Sequence, residues 1–60
     1  MWLSIGDRLI NTNFFDEIGI ESNFIVFYKN SHLFKTIRFE TKEEAKEEFK
    51  RLEKLLTKTL

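Results

Sequence analysis

A serine and the single histidine of this sequence are adjacent, and they are its first candidates for chemistry. Ser31 and His32 lie between two segments rich in aromatic and β-branched residues, where a turn is expected. Adjacent turn residues do not place a hydroxyl and an imidazole in the geometry that activates a nucleophile. The carboxylates before the last third of the chain are scattered at predicted strand ends, not paired for acid–base catalysis: Asp7, Asp16, Glu17, Glu21 and Glu40. We therefore predict no catalytic residues and no enzymatic activity.

Ligands for a metal or a cofactor also do not form a recognisable pattern. The chain has no cysteine and one histidine, so a zinc site would need carboxylates for most of its ligands, which is uncommon. Gly6 and Gly19 are isolated and do not make a phosphate-binding loop. We expect no metal site and no cofactor.

Lysine recurs at every fourth position over Lys42–Lys58, a spacing that could form a ridge of phosphate contacts. Neighbouring acidic residues favour a solvated helix surface instead, because Glu43 can pair with Lys46 and Glu47 with Lys50. The formal net charge is zero, which disfavours general electrostatic binding to nucleic acids or membranes. No apolar run approaches the ~20 residues of a membrane span. We predict a cytoplasmic protein with no membrane partner.

Any site must be positioned by the predicted strands and helix. Their order predicts one small α+β domain, with a sheet over residues 1–40 and a helix over 41–60. Strands are expected at 1–5, 8–11, 17–21, 24–29 and 33–40, with a tight helical turn at 13–16. We predict a four- or five-stranded antiparallel meander. Thr41 and Glu44 form a capping box before an amphipathic helix from about 42 to about 57. This helix packs on one sheet face through an apolar stripe: Ala45, Phe49, Leu52, Leu56 and Leu60.

The hairpin of residues 24–39 carries large apolar groups on both faces. A two-residue loop at Asn30-Ser31 pairs Phe27 with Phe34 and Ile25 with Thr36, whereas a three-residue loop shifts this register. The opposite face then holds six further side chains: Phe24, Val26, Tyr28, Leu33, Ile37 and Phe39. One helix can cover only one face, and an uncovered apolar sheet face is typical of an interface.

Self-association is the function that this surplus of apolar surface favours. A chain of 60 residues buries only ~60% of the surface of its unfolded form, so oligomerisation would add to a marginal core. We predict a non-enzymatic interaction or regulatory module that forms a small oligomer, with a dimer favoured, through the second sheet face or an edge strand. An unidentified protein partner is also possible. The predicted interface residues are Trp2, Ile25, Phe27, Phe34, Thr36 and Arg38.

The alternative is binding of single-stranded nucleic acid, in a role related to transcription. Aromatic side chains on a sheet can stack on bases while basic side chains contact phosphates. The basic residues in question are Lys29, Lys35 and Arg38.

A resemblance to known families rests on the segment Leu9–Ile18, LINTNFFDEI, followed by a hairpin and a Glu-rich helix. This order resembles small bacterial and phage open reading frames of unknown function, and it is loosely similar to the FlbD-type flagellar proteins. The sequence has neither their Pro-Asp before the hairpin nor their glycine in its turn. The plan of strands followed by one helix also resembles transcriptional-coactivator and whirly-type single-strand binders. These resemblances imply a fold and no site residue.

Overall fold

The computed structural model describes residues 1–57, which form five strands, one short 3-10 helix and one α-helix. The elements in chain order are β1 (Trp2–Ile5), β2 (Arg8–Asn11), the 3-10 helix (Thr12–Phe14), β3 (Glu17–Glu21), β4 (Phe24–Lys29), β5 (His32–Arg38) and α1 (Lys42–Thr57). The α+β class and the bounds of the helix are as predicted. The parts predicted for Lys58 and Leu60 lie outside the described residues.

Within residues 1–57 the strands form two antiparallel sheets, so the prediction of one four- or five-stranded meander is wrong. Strands β1 and β2 form a two-stranded ribbon, and β3, β4 and β5 form a separate three-stranded sheet in that order. The chain turns away after β2 because Asn11 caps the 3-10 helix, its Oδ1 accepting from the Asn13 amide at 3.0 Å. The Thr12 amide also donates to the Met1 carbonyl at 2.8 Å. These bonds close the ribbon before β3 begins.

The core cluster of residues 1–57 lies on one face of the three-stranded sheet, here called the inner face. The ribbon, the segment before β3, the sheet and the helix all contribute buried side chains to it: Leu3, Ile5, Ile10, Phe15, Ile25, Phe27, Ile37 and Leu52. The rings of Phe15 and Phe27 pack edge to face with centroids 5.0 Å apart, a favourable aromatic geometry. The β1–β2 ribbon and α1 therefore both cover the inner face of the sheet.

The β4–β5 hairpin turns at Asn30 and Ser31, as predicted, and of the two loop lengths that the sequence allows it has the two-residue one. Both residues have positive φ, 53° and 68°, as a type I′ turn requires at its two central positions. Lys29 and His32 are paired on either side of the turn. The twist of this turn matches that of the strands. Neither central residue is glycine, but asparagine at the first position tolerates a positive φ.

A β-bulge in β5 changes which residues share a face. Phe34 is the additional residue, and beyond it Ile25 pairs with Ile37. The pairing that a two-residue loop predicts, of Phe27 with Phe34 and of Ile25 with Thr36, is therefore wrong. The one-residue shift turns Ile37 inward, where it is buried, and places Thr36 on the other face.

Helix α1 begins at a cap that its sequence predicts. The hydroxyl of Thr41 accepts a hydrogen bond from the Glu44 amide at 3.1 Å, which satisfies one of the free N–H groups of the first turn. The helix turns its apolar stripe toward the sheet, and the stripe comprises two buried and two partly buried side chains: Ala45, Leu52, Phe49 and Leu56.

Arg51 joins the helix to the ribbon. Its guanidinium donates to the Glu48 carboxylate at 2.6 Å and also to the backbone carbonyl of Ser4 in β1. The hydrogen bond from Arg51 holds the pKa of Glu48 below its ordinary value. The contact fixes the ribbon beside the helix, on the same side of the three-stranded sheet.

Candidate interaction surface

The outward face of the three-stranded sheet, here called the open face, has no element of residues 1–57 packed over it. Strand residues alternate between faces, and Ile25, Phe27 and Ile37 point into the core. The register then places three residues of each strand on the open face: Glu17, Gly19 and Glu21 of β3, Phe24, Val26 and Tyr28 of β4, and Leu33, Thr36 and Arg38 of β5. The open face is the candidate site.

Apolar side chains lie in all three cross-strand rows of the open face. Leu33 and Phe24 are 59% and 36% exposed, while Val26 lies lower between the neighbouring strands and is 6% exposed. A shallow groove of about 340 Å³ runs between side chains of this face: Glu21, Phe24, Val26, Tyr28, Leu33 and Thr36. A contiguous apolar surface of this kind commonly marks a binding site on a soluble domain.

A hydrogen bond crosses the open face along the sheet. The Tyr28 hydroxyl donates to Glu21 Oε2 at 3.1 Å, although the two residues lie in cross-strand rows on either side of the Gly19–Val26 row. Gly19 has no side chain to obstruct this contact. The carboxylate of Glu21 bonds the protonated hydroxyl and repels the phenolate, so the pKa of Tyr28 is raised above its ordinary value. Each side chain therefore restrains the other.

Opposite charges stand at opposite edges of this face. Glu21, Phe24 and Arg38 form one cross-strand row, with the acidic residue on β3 and the basic residue on β5. Two strand spacings separate the backbones of Glu21 and Arg38 by about 10 Å, and no ion pair joins them. Arg38 makes no ion pair with any residue of the described chain. The row is thus acidic at one end, aromatic in the middle and basic at the other end.

The structure divides the six residues predicted for the interface among four environments. Ile25 and Phe27 have no exposed surface and belong to the core, so they are removed from the candidate surface. Thr36 and Arg38 lie on the open face. Trp2 is 62% exposed on the ribbon. The sixth residue, Phe34, lies at the bulge.

The sequence correctly predicts that four residues of the open face share one face of the hairpin, but it wrongly adds two more residues to that face. Phe24, Val26, Tyr28 and Leu33 do lie together. Ile37 is buried in the core instead, and Phe39 is partly buried and packs against the core cluster. The difference follows from the bulge, for which the sequence carries no glycine or other marker. The interface stays a prediction, and its candidate residues are now those of the open face.

Two further groups of exposed apolar side chains lie away from the open face. Trp2 and Leu9 are 62% and 70% exposed on the ribbon. Phe14 and Phe34 stack with ring centroids 6.5 Å apart and an interplanar angle of 23°. Despite this contact Phe14 and Phe34 remain 57% and 49% exposed. The open face differs from both groups because residues of opposite charge flank its apolar side chains.

The basic residues considered for nucleic-acid binding are not brought together. Lys29 and Lys35 follow the inward alternation of β4 and β5, whereas Arg38 lies on the open face. Two glutamates, Glu17 and Glu21, also line the open face, and they would repel a phosphate backbone. The geometry therefore does not favour stacking of single-stranded bases on this surface.

The adjacent serine and histidine lie at the hairpin tip. Ser31 and His32 are both exposed there, at the turn between β4 and β5. Among residues 1–57, no three or more histidine, aspartate or glutamate side chains are grouped to hold a metal ion. No helix in this part of the chain has the length and apolar composition to cross a membrane.

Compared with known proteins, the chain matches no protein-family model, no curated protein and no solved structure. The open face and its chemistry are therefore the basis for a functional proposal.

Proposed function

We propose that this protein is a non-enzymatic interaction module whose open face binds a second copy of the same chain. The observation that carries the proposal is the placement of both covering elements. The ribbon and the helix pack on the inner face, which leaves the side chains of Leu33 and Phe24 on the open face in contact with water, while Val26 in the row between them is buried. Face-to-face packing with another sheet would remove this surface from water at the usual separation of about 10 Å.

A second copy is the occupant that the charges support. The open face carries acidic residues at its β3 edge and a basic residue at its β5 edge, so it contains both halves of a complementary surface. The formal net charge of the chain is zero, so two copies do not repel each other through their overall charge. A small core also gains stability when association buries additional apolar area.

Replacement of Leu33 with aspartate tests the proposal in solution. Leu33 is largely exposed, so the variant should fold. Its new carboxylate would be buried against the partner in each copy, and we expect the dimer dissociation constant to rise by about 100-fold or more. Sedimentation equilibrium of the wild-type and variant proteins over a range of concentrations measures this change, and circular dichroism verifies the fold.

Leu9→Asp is the matched control, because Leu9 is an even more exposed leucine on a strand outside the open face. This variant should dimerise like the wild-type protein. A wild-type chain that stays monomeric at every concentration would contradict the proposal. A dimer that survives Leu33→Asp but dissociates on Leu9→Asp would also contradict it, and would place the contact on the ribbon beside Trp2.

A further inference from the structure

We infer that the two copies pack face to face about a two-fold axis parallel to β4, with Glu21 of each chain opposite the partner's Arg38. This inference rests on the proposed function and specifies the orientation of the same contact. It follows from the order of charges along one cross-strand row, in which Glu21 and Arg38 flank Phe24.

A rotation about an axis parallel to the strands exchanges the two edges of the sheet. It places β3 of one copy over β5 of the other. Each cross-strand row then lies over the same row of the partner. Glu21 then lies over the partner's Arg38 at both ends of the row, and Phe24 meets the partner's Phe24 in the middle. A two-fold contact of this type is self-complementary, because each surface supplies both members of every pair.

The other face-to-face orientation has its two-fold axis perpendicular to the strands, and it does not match the charges. That rotation places β3 over β3 and reverses the direction of the strands. Glu21 would then face the partner's Glu17. A charged residue lies opposite the partner's Leu33 in both orientations, Glu17 about the parallel axis and Arg38 about the perpendicular one, so the pairing of Glu21 distinguishes the two. Like charges placed opposite each other disfavour association, so the charge pattern selects the parallel axis.

The two charged side chains are available for this contact. Arg38 forms no ion pair within the described chain, and its guanidinium can bind a carboxylate through two parallel hydrogen bonds. Glu21 is held by the hydroxyl of Tyr28 through Oε2, which leaves Oε1 free to accept from the partner. Tyr28 therefore acts as a positioning residue for Glu21. Their hydrogen bond orients the carboxylate before the copies meet.

Charge reversal at the two positions tests the orientation by sedimentation equilibrium at low salt. Glu21→Lys and Arg38→Glu each place like charges together twice in the inferred dimer, and each should weaken dimerisation by about tenfold or more. An equal mixture of the two single variants should form heterodimers with nearly wild-type affinity, because opposite charges then face each other at both contacts. The double variant should recover homodimers for the same reason.

Two helix variants control for the change in net charge. Glu53→Lys and Lys46→Glu reverse the same charges at exposed positions of α1, away from the open face, and should leave the dissociation constant unchanged. The mixture also controls for the loss of the Tyr28 hydrogen bond in Glu21→Lys, because that loss is present in it while the charges are complementary.

The outcomes separate the orientation from the proposed function. A dimer that Glu21→Lys strengthens, with no effect of Arg38→Glu, would overturn the inferred axis in favour of the perpendicular one. If Leu33→Asp abolishes association while all charge variants bind like the wild-type protein, the open face is retained and the inferred ion pair is wrong. A wild-type protein that is monomeric throughout would overturn both.

Discussion

Replacing Leu52 with alanine tests whether the helix holds the inner face of the sheet. Leu52 is completely buried in the core cluster. The substitution removes three carbon atoms, worth about 2–3 kcal/mol of transfer free energy, and leaves a cavity that brings the total to about 3–4 kcal/mol. A domain of this length is stable by about 3–9 kcal/mol. Leu52→Ala should therefore remove a third or more of the free energy of unfolding.

Urea denaturation followed by circular dichroism measures this loss. With a slope of about 1 kcal/mol per molar urea, the midpoint should fall by about 3 M. Leu55→Ala is the matched control on the same helix, because Leu55 is 43% exposed and its truncation should cost about 1 kcal/mol or less. Both variants are measured at one protein concentration, since dimerisation adds to apparent stability. Equal midpoint shifts for the two variants would refute the placement of Leu52 at the centre of the core.

Two further predictions concern the open face and the hairpin turn. The single tyrosine, Tyr28, should ionise above its ordinary pKa of 10.0 because of Glu21. Glu21→Ala should lower the pH midpoint of the tyrosine absorbance titration. An unchanged midpoint would contradict the hydrogen bond. Any stability from this raised pKa is present below the unfolded-state value and is lost as pH rises through the folded-state value. Ser31→Gly should raise stability by roughly 0.5 kcal/mol, because Ser31 has a φ of 68°; a lower urea midpoint would argue against the type I′ turn.

The helix was predictable because its signals are local. Thr41 and Glu44 identify its first turn, and the spacing of apolar residues such as Ala45 and Leu52 identifies its buried stripe. The turn at Asn30 and Ser31 was predictable for a similar reason, since asparagine tolerates a positive φ. Each feature depends on residues that are close in sequence.

The arrangement of the sheets was not predictable, because it depends on contacts between distant residues. The alternation of β1 to β5 allowed one meander, but the 3-10 helix over Thr12–Phe14 separates the ribbon from the three-stranded sheet. Which face of the sheet the ribbon would cover depends on the fit of its side chains to the core, and no local signal states this.

The bulge at Phe34 had the largest effect on the candidate site. One additional residue in β5 turned Ile37 into the core and moved Thr36 to the open face. Side chains alternate with a period of two, so a one-residue shift exchanges the faces of every residue beyond it. The sequence indicated correctly that the hairpin has two apolar faces, but only the register shows which residues remain exposed.

Intermolecular nuclear Overhauser effects, recorded on a mixture of isotope-labelled and unlabelled chains, test most directly whether the open face binds a second copy. Binding through the open face predicts effects between the methyl groups of Val26 and Leu33 in labelled chains and the rings of Phe24 and Tyr28 in unlabelled chains. Intermolecular effects that involve only Trp2 and Leu9 would contradict it. The absence of any intermolecular effect at millimolar concentration would contradict self-association through the open face.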